Sequence, residues 1–168
     1  AEYLSDADKT YVADIVLGRG AAATKGFGTN SGVFLRATAP IDPGTLPLFG
    51  LTPMGRRGTL MLLDLDHPST PPAPVLADFK AAGTALRPSN LITLLPHPGH
   101  PLRPSTRYGV ALFDGVRDTS GLRLAPSPLI DALDGAAPGG VDPATWTELR
   151  QDRDDVVAAV RARTLWHP

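Results

Sequence analysis

The sequence predicts a mainly β protein, an antiparallel β-sandwich carrying a short helix and a C-terminal amphipathic helix. Three observations lead there. Seventeen glycines and eighteen prolines make up about a fifth of the 168 residues, a usage typical of loop-rich β proteins. Residues 102–121 read as a turn, a half-buried strand and a second turn. Helical periodicity of any length is confined to the end of the chain, after Asp142-Pro143.

The turn–strand–turn segment is the most explicit. Pro104 lacks a ladder donor and so belongs before the strand. From Tyr108 the side chains alternate, with Tyr108, Val110 and Leu112 on one face and Arg107, Gly109 and Ala111 on the other. Asp114-Gly115 and Ser120-Gly121 supply turn chemistry around Val116-Arg117-Asp118. Tyr108, just inside the strand, suits a tyrosine corner in which the phenol packs inward and its hydroxyl caps upstream backbone.

Along the rest of the chain, residues 1–10 are polar, Tyr11 to Leu17 is a strand candidate, and Gly18 to Gly32 is a flexible stretch. Val33 to Ala39 alternates and stops at Pro40, and Asp42-Pro43-Gly44 forms a turn. Thr59 to Leu65 is an apolar run of buried-strand length. Pro68 to Pro74 is an extended surface connection. Val75 to Phe79 and Leu91 to Leu95 are further strands, and His97-Pro98-Gly99-His100-Pro101 is a loop. Ser127-Pro128 pairs an N-cap with proline at the first helical position, which places a short helix over Pro128 to Leu133. In the terminal helix Trp146, Leu149, Val156, Val157 and Val160 fall at helical spacing, interrupted at Asp152 and Arg153. That stripe packs either on the domain's own core, the expected arrangement, or on a neighbouring part of a longer polypeptide.

A formal net charge of −1 removes any basic field for nucleic acid. The absence of cysteine excludes disulfides and thiolate metal sites, without fixing a compartment. Nowhere do 18 consecutive apolar residues occur, so no membrane span is expected. The start, Ala1-Glu2-Tyr3, has neither the charged nor the apolar region of a leader, as in a chain whose signal peptide is already removed.

The motif Leu102-x-Pro104-x-Thr106-x-Tyr108 followed by Asp118-x-x-Gly121 resembles the bacterial Ig-like domains first described in S-layer proteins. Val33 to Leu46, with its Asp42-Pro43 turn, is similar to the strand and acidic-proline turn that open that family, departing at Ala37, where the family places a core aromatic. The resemblance covers roughly residues 26 to 130. Large secreted bacterial lipoproteins and the N-terminal regions of bacterial extracellular lipases are similar over Gly26 to Leu133. They share Gly26-Phe27, Leu62-Leu63-Asp64-Leu65-Asp66 and the Leu102 to Tyr108 segment. The resemblance implies an Ig-like sandwich over 26–135, preceded by an extension at 1–25. A linker and C-terminal helix at 136–168 would then lead into a domain outside this chain.

Several patterns on this scaffold imitate reactive sites. A nucleophile elbow needs glycine two residues either side of serine and a helix after it, whereas Ser31 in Gly28-Thr29-Asn30-Ser31-Gly32 has neither and reads as a loop serine. Gly18-Arg19-Gly20-Ala21-Ala22-Ala23 imitates a dinucleotide fingerprint but lacks the helix that would face a phosphate, and Lys25 precedes a glycine where a phosphate loop needs the reverse. Asp64 and Asp66 alternate along a strand toward one face, while Asp114 and Asp118 lie in turns. Together these four are the candidate calcium ligands, and solvated carboxylates are the expected outcome. His97 and His100 read as surface histidines, because zinc needs further ligands.

No catalytic, cofactor-binding or metal residue is therefore assigned, and no cofactor. The expected function is a non-catalytic Ig-like structural or interaction module of an exported, secreted or cell-surface bacterial protein. Its partner would be a neighbouring domain of the same polypeptide or another surface component. The alternatives are the accessory N-terminal domain of a secreted lipase or esterase whose catalytic domain lies elsewhere, and a calcium-dependent adhesion module.

Overall fold

A computed structural model describes residues 27–47, 59–113, 115–125 and 127–164. The strand expected at Tyr11 to Leu17, the part of the Gly18 to Gly32 stretch up to Gly26 and Asp114 lie outside the described residues. The protein is mainly β, with two antiparallel sheets and two α-helices among the described residues.

Strands β1 (Val33–Arg36), β3 (Val75–Lys80) and β4 (Leu91–Pro96) form one sheet in the order β1-β4-β3, and β2 (Leu60–Asp64) pairs with β5 (Tyr108–Leu112) in the other. All five were expected from the apolar runs and their flanking turns, and the boundaries moved by a few residues at most. The first strand stops at Arg36, short of the expected Ala39, because the chain bends at Thr38-Ala39 ahead of Pro40. Ala37 still donates its amide to the Asn90 carbonyl at 2.9 Å.

Period-two alternation decides which side chains meet. Leu60 and Leu62 of β2 join Val75 of β3 and Ile92 and Leu94 of β4 in one buried cluster, so a single core draws on both sheets. Tyr108 and Val110 of β5 pack against it as expected, whereas Leu112, at 39% exposure, does not join it. Burying each large aliphatic chain is worth about 1.5–3 kcal/mol, so this shared core is the main cohesive term between the sheets.

Three cluster members come from irregular segments: Ile41, Leu46 and Val116. The Asp42 carboxylate accepts the Gly44 amide at 2.9 Å and starts a 3₁₀ turn at Pro43–Thr45. Asp42 also donates its own amide to the Arg117 carbonyl at 2.9 Å, and Ile41 bridges to Asp118. The acidic-proline turn is thereby stitched to the hairpin after β5, and its apolar neighbours are drawn inward. The proline-rich connection is similarly pinned, since Ala73 donates its amide to the Leu62 carbonyl at 2.8 Å along β2.

The short helix α1 (Pro128–Ala132) has the expected cap, with Ser127 Oγ accepting the Leu129 amide at 3.3 Å. The long helix α2 (Pro143–Thr164) starts at Asp142, whose carboxylate accepts the Thr145 amide at 2.9 Å. Arg150 of α2 donates to the carbonyls of Leu133 (2.8 Å) and Gly135 (2.6 Å), satisfying acceptors left free where α1 ends. Trp146 is buried and donates Nε1 to the same Gly135 carbonyl at 3.3 Å. Of the expected apolar stripe, Trp146 is fully buried and Val156 and Val160 are half-buried, while Leu149 and Val157 face solvent. Ala159 takes a buried place that an aliphatic reading of the stripe overlooks.

Helix α2 docks on the outer face of the β2–β5 sheet. Leu63 is fully buried there, apart from the shared core, and is paired with Gly109. A Cβ built at Gly109 would collide with Val156 Cγ2 and fall 3.3 Å from both Leu65 methyls. Glycine at 109 is the socket for the helix. Gly109→Ala is expected to destabilise by about 1–3 kcal/mol through overpacking. Adding Val156→Ala should recover much of that loss in a double-mutant cycle followed by urea unfolding, and strict additivity would show that the two sites do not touch.

Candidate functional site

Among the described residues a dense polar constellation lies where β2 ends and β5 begins. Asp64 shares the inward face of Leu60 and Leu62, opposite Tyr108 in register, and is only 2% exposed. A carboxylate so buried must have partners. Its Oδ1 accepts the amides of Asp66 (3.1 Å) and His67 (2.8 Å), closing the chain into a turn directly after the strand. His67 Nδ1 lies 3.1 Å from both carboxylate oxygens, and Arg103 Nη1 stands 3.6 Å from Oδ2.

Tyr108 completes this end of the molecule. Its hydroxyl accepts the Arg103 amide at 3.0 Å while its ring packs against the shared core. This is the upstream backbone cap expected for a tyrosine at that position. Pro104 and Ser105 form the turn between them, with Ser105 at φ 52° and the Thr106 hydroxyl donating to the Pro104 carbonyl at 3.0 Å.

Asp66 does not share a strand face with Asp64, contrary to the alternation expected for the pair. The strand ends at Asp64, and Asp66 lies in the turn beyond it with its carboxylate on Arg107. The Arg107 amide donates to Asp66 Oδ2 at 2.8 Å and its Nε to Oδ1 at 3.1 Å. The same guanidinium reaches α2, with Nη1 2.8 Å from Asp155 Oδ2 and 3.9 Å from Asp152 Oδ1. Arg107 is thus the polar hub joining the turn after β2, the start of β5 and the helix.

The Arg107 amide at Asp66, and the Arg107 guanidinium at Asp155, hold these two carboxyls below the usual aspartate range. Folded-state pKa values depressed in this way contribute stability that is present above the unfolded value. It is lost as pH falls through the ordinary range, near 4, toward the lower folded values. Arg107→Gln keeps the amide on Asp66 but removes the guanidinium, and is therefore expected to flatten part of the acid limb of a plot of urea midpoint against pH between about 5 and 2, chiefly through Asp155. An unchanged limb would show that these pairs are not formed in solution.

Ser31 sits in a turn closed by its own amide on the Gly28 carbonyl at 2.8 Å, and the next element is strand β1, not a helix. It therefore lacks the strand-to-helix elbow that activates a hydrolase serine. Asp118 accepts the amides of Ser120 and Leu122, both at 2.8 Å, and so organises the tight hairpin whose turn ends at Gly121 (φ +79°). Asp64 is buried and not solvated, which corrects the expectation for that residue; the β strand carries it into the core end, where backbone amides replace water. Among the described residues no three His, Asp or Glu side chains come together as a metal-holding group. His97 and His100 stand together on the loop after β4, ring centroids 5.7 Å apart. No family model, curated protein or solved structure matches this chain.

The Asp64–His67–Arg103 and Arg107 clusters escaped the sequence reading. The signal was present in Asp64-Leu65-Asp66-His67 after an apolar run, since an aspartate ending a strand readily caps nearby amides downstream. What the sequence does not carry is that Arg103 and Arg107, about forty residues on, fall beside it.

Proposed function

We propose that this chain is a non-catalytic Ig-like structural or interaction module of an exported bacterial protein, holding or presenting a neighbouring domain or surface component. The observation that carries the reading is the Tyr108 hydroxyl accepting the Arg103 amide while its ring rests on a core shared by two antiparallel sheets. That arrangement serves rigidity at the junction of strand and turn. The charged groups nearby are used in the same way. Asp64 caps a turn, Arg107 ties a helix to a sheet, and Arg150 closes one helix against the next. Each is engaged in internal structure instead of being aimed at a common point where a substrate would sit. Ig-like identity, export and surface location rest on the resemblance of Leu102 to Tyr108 and Asp118 to Gly121.

Hydrolysis of p-nitrophenyl esters of short and long acyl chains tests the reading. No turnover above the buffer rate is expected from this chain alone, and an esterase activity that co-purifies with it would overturn the non-catalytic assignment. If the module instead serves a secreted lipase as an accessory domain, activity belongs to the longer polypeptide and changes when this part is deleted.

A further inference from the structure

The loop after β4 holds two imidazoles in a geometry that the proposed scaffold role does not use. Strand β4 ends at Pro96, and His97 is anchored by its amide to the Pro74 carbonyl at 2.9 Å, at the base of the neighbouring strand. Residues 97–100 form a tight reverse turn. Pro98 occupies its second position, Gly99 its third at φ +85°, and the His100 amide closes it on the His97 carbonyl at 2.8 Å. Proline before a left-handed glycine is the signature of a type II turn, which fixes the first and fourth residues close together on one side. Both of those residues are histidines, and their rings meet at 5.7 Å between centroids with 66° between planes.

One ring is also fixed in its tautomer. His97 Nδ1 lies 2.9 Å from the Pro98 carbonyl oxygen, which can only accept, so Nδ1 carries the hydrogen. In that tautomer the lone pair of the neutral ring is at Nε2. A backbone carbonyl bonded to the second nitrogen is the usual partner of a metal-ligating imidazole, because it sets the ring's orientation and raises its basicity. Two imidazoles on one ion, each nitrogen about 2.0–2.1 Å from the metal, place their centroids roughly 4.5–5.5 Å apart for angles of about 90–110° at the metal, so the 5.7 Å pair needs only a small closing movement.

We propose that His97 and His100 form a two-imidazole chelate for a borderline transition-metal cation, the remaining coordination positions being filled by water. Imidazole suits copper, nickel and zinc, and divalent copper binds most tightly of the three at a nitrogen site of this kind. Hard cations such as calcium and magnesium prefer oxygen ligands and would not be held by an imidazole pair. Because the turn is already closed, little ordering entropy is lost in bringing the second imidazole to the ion. The proposal adds a site to the module and does not depend on its Ig-like assignment.

The test is a titration of the chain with Cu²⁺ in a non-coordinating buffer, read by calorimetry and by electron paramagnetic resonance. One copper per chain is expected, with coupling to two imidazole nitrogens. His97→Gln and His100→Gln should each weaken binding by about tenfold or more, as loss of one arm of a chelate does. Gly99→Ala keeps both imidazoles and introduces no contact within 4 Å, but it forces the turn out of its left-handed conformation. It should weaken binding several-fold, whereas two independent imidazoles would not respond to it. His67→Gln should leave the affinity unchanged. A single-nitrogen signal, or either loop histidine variant binding within about twofold of the parent, overturns the proposal. The rings stand on an exposed loop, and an unchanged melting temperature in each variant confirms that a loss is not a failure to fold.

Discussion

Leu62→Ala is expected to destabilise the protein by about 3–5 kcal/mol, the upper part of the range for a leucine truncated in a close-packed core. Domains of this size are stable by only about 5–15 kcal/mol, so the variant should be substantially unfolded at modest denaturant. Leu62 is 1% exposed and belongs to β2, yet its cluster partners Val75, Ile92 and Leu94 belong to the other sheet. Its carbonyl also accepts the Ala73 amide, so a local shift would loosen the connection leading to β3. The informative measurement is native-state hydrogen exchange at the Ile92 and Leu94 amides, which sit in β4 and make no ladder with β2. If the two sheets share one core, protection at those amides falls with global stability although the cavity lies across the interface. Retained protection in β4 would mean that each sheet is stabilised separately and that the common cluster contributes little.

The parts of this fold that were legible in the sequence are those whose cause is local. Alternation placed β1 and β5, a short apolar run placed β2, the Ser127-Pro128 pair placed α1, and Asp142-Pro143 placed the start of α2, because capping and period are properties of neighbouring residues. Tyr108 could be read further, to its upstream backbone bond, because that bond spans only five residues. What could not be read depends on distant chain segments meeting. Ile41 and Val116 are core residues only because the Asp42 and Arg117 backbones are bonded. Gly109 looks like a weak point in a strand until Val156 is found on top of it. Ala158, Ala159 and Ala162, with Leu65 and Arg107, line a shallow cavity of about 270 Å³ beside α2, which no helical pattern announces. The same limit explains Asp64. Alternation with Asp66 suggested one exposed acidic face, while the turn that breaks the alternation is made by Asp64 itself.

Asp64→Ala is the second large effect, with an expected loss of about 2–3 kcal/mol. Its cause is a set of unmatched donors. Removing the carboxylate leaves the Asp66 and His67 amides, the His67 ring and the Arg103 guanidinium without the acceptor that gathers them. Arg103 and His67 are half exposed, at 53% each, so water compensates part of their loss, and the effect stays below that for a fully buried pair. Asp64→Asn separates the contributions. Its carbonyl oxygen still accepts the two amides, but its amino group turns a donor toward His67 or Arg103. It should fall roughly midway if backbone capping carries half the effect, and close to alanine if charge dominates. Chemical denaturation of the three proteins at pH 7 decides between these. The loss should also reach Tyr108, because Arg103 is held on one side by Asp64 and donates its amide to the phenol on the other. Weakened protection at the Arg103 amide in Asp64→Ala would connect the two, making the buried aspartate and the capping phenol one structural unit. A loss under about 0.5 kcal/mol, the range of ordinary surface changes, would instead reduce Asp64 to a solvated carboxylate and remove the polar keystone from this end of the molecule.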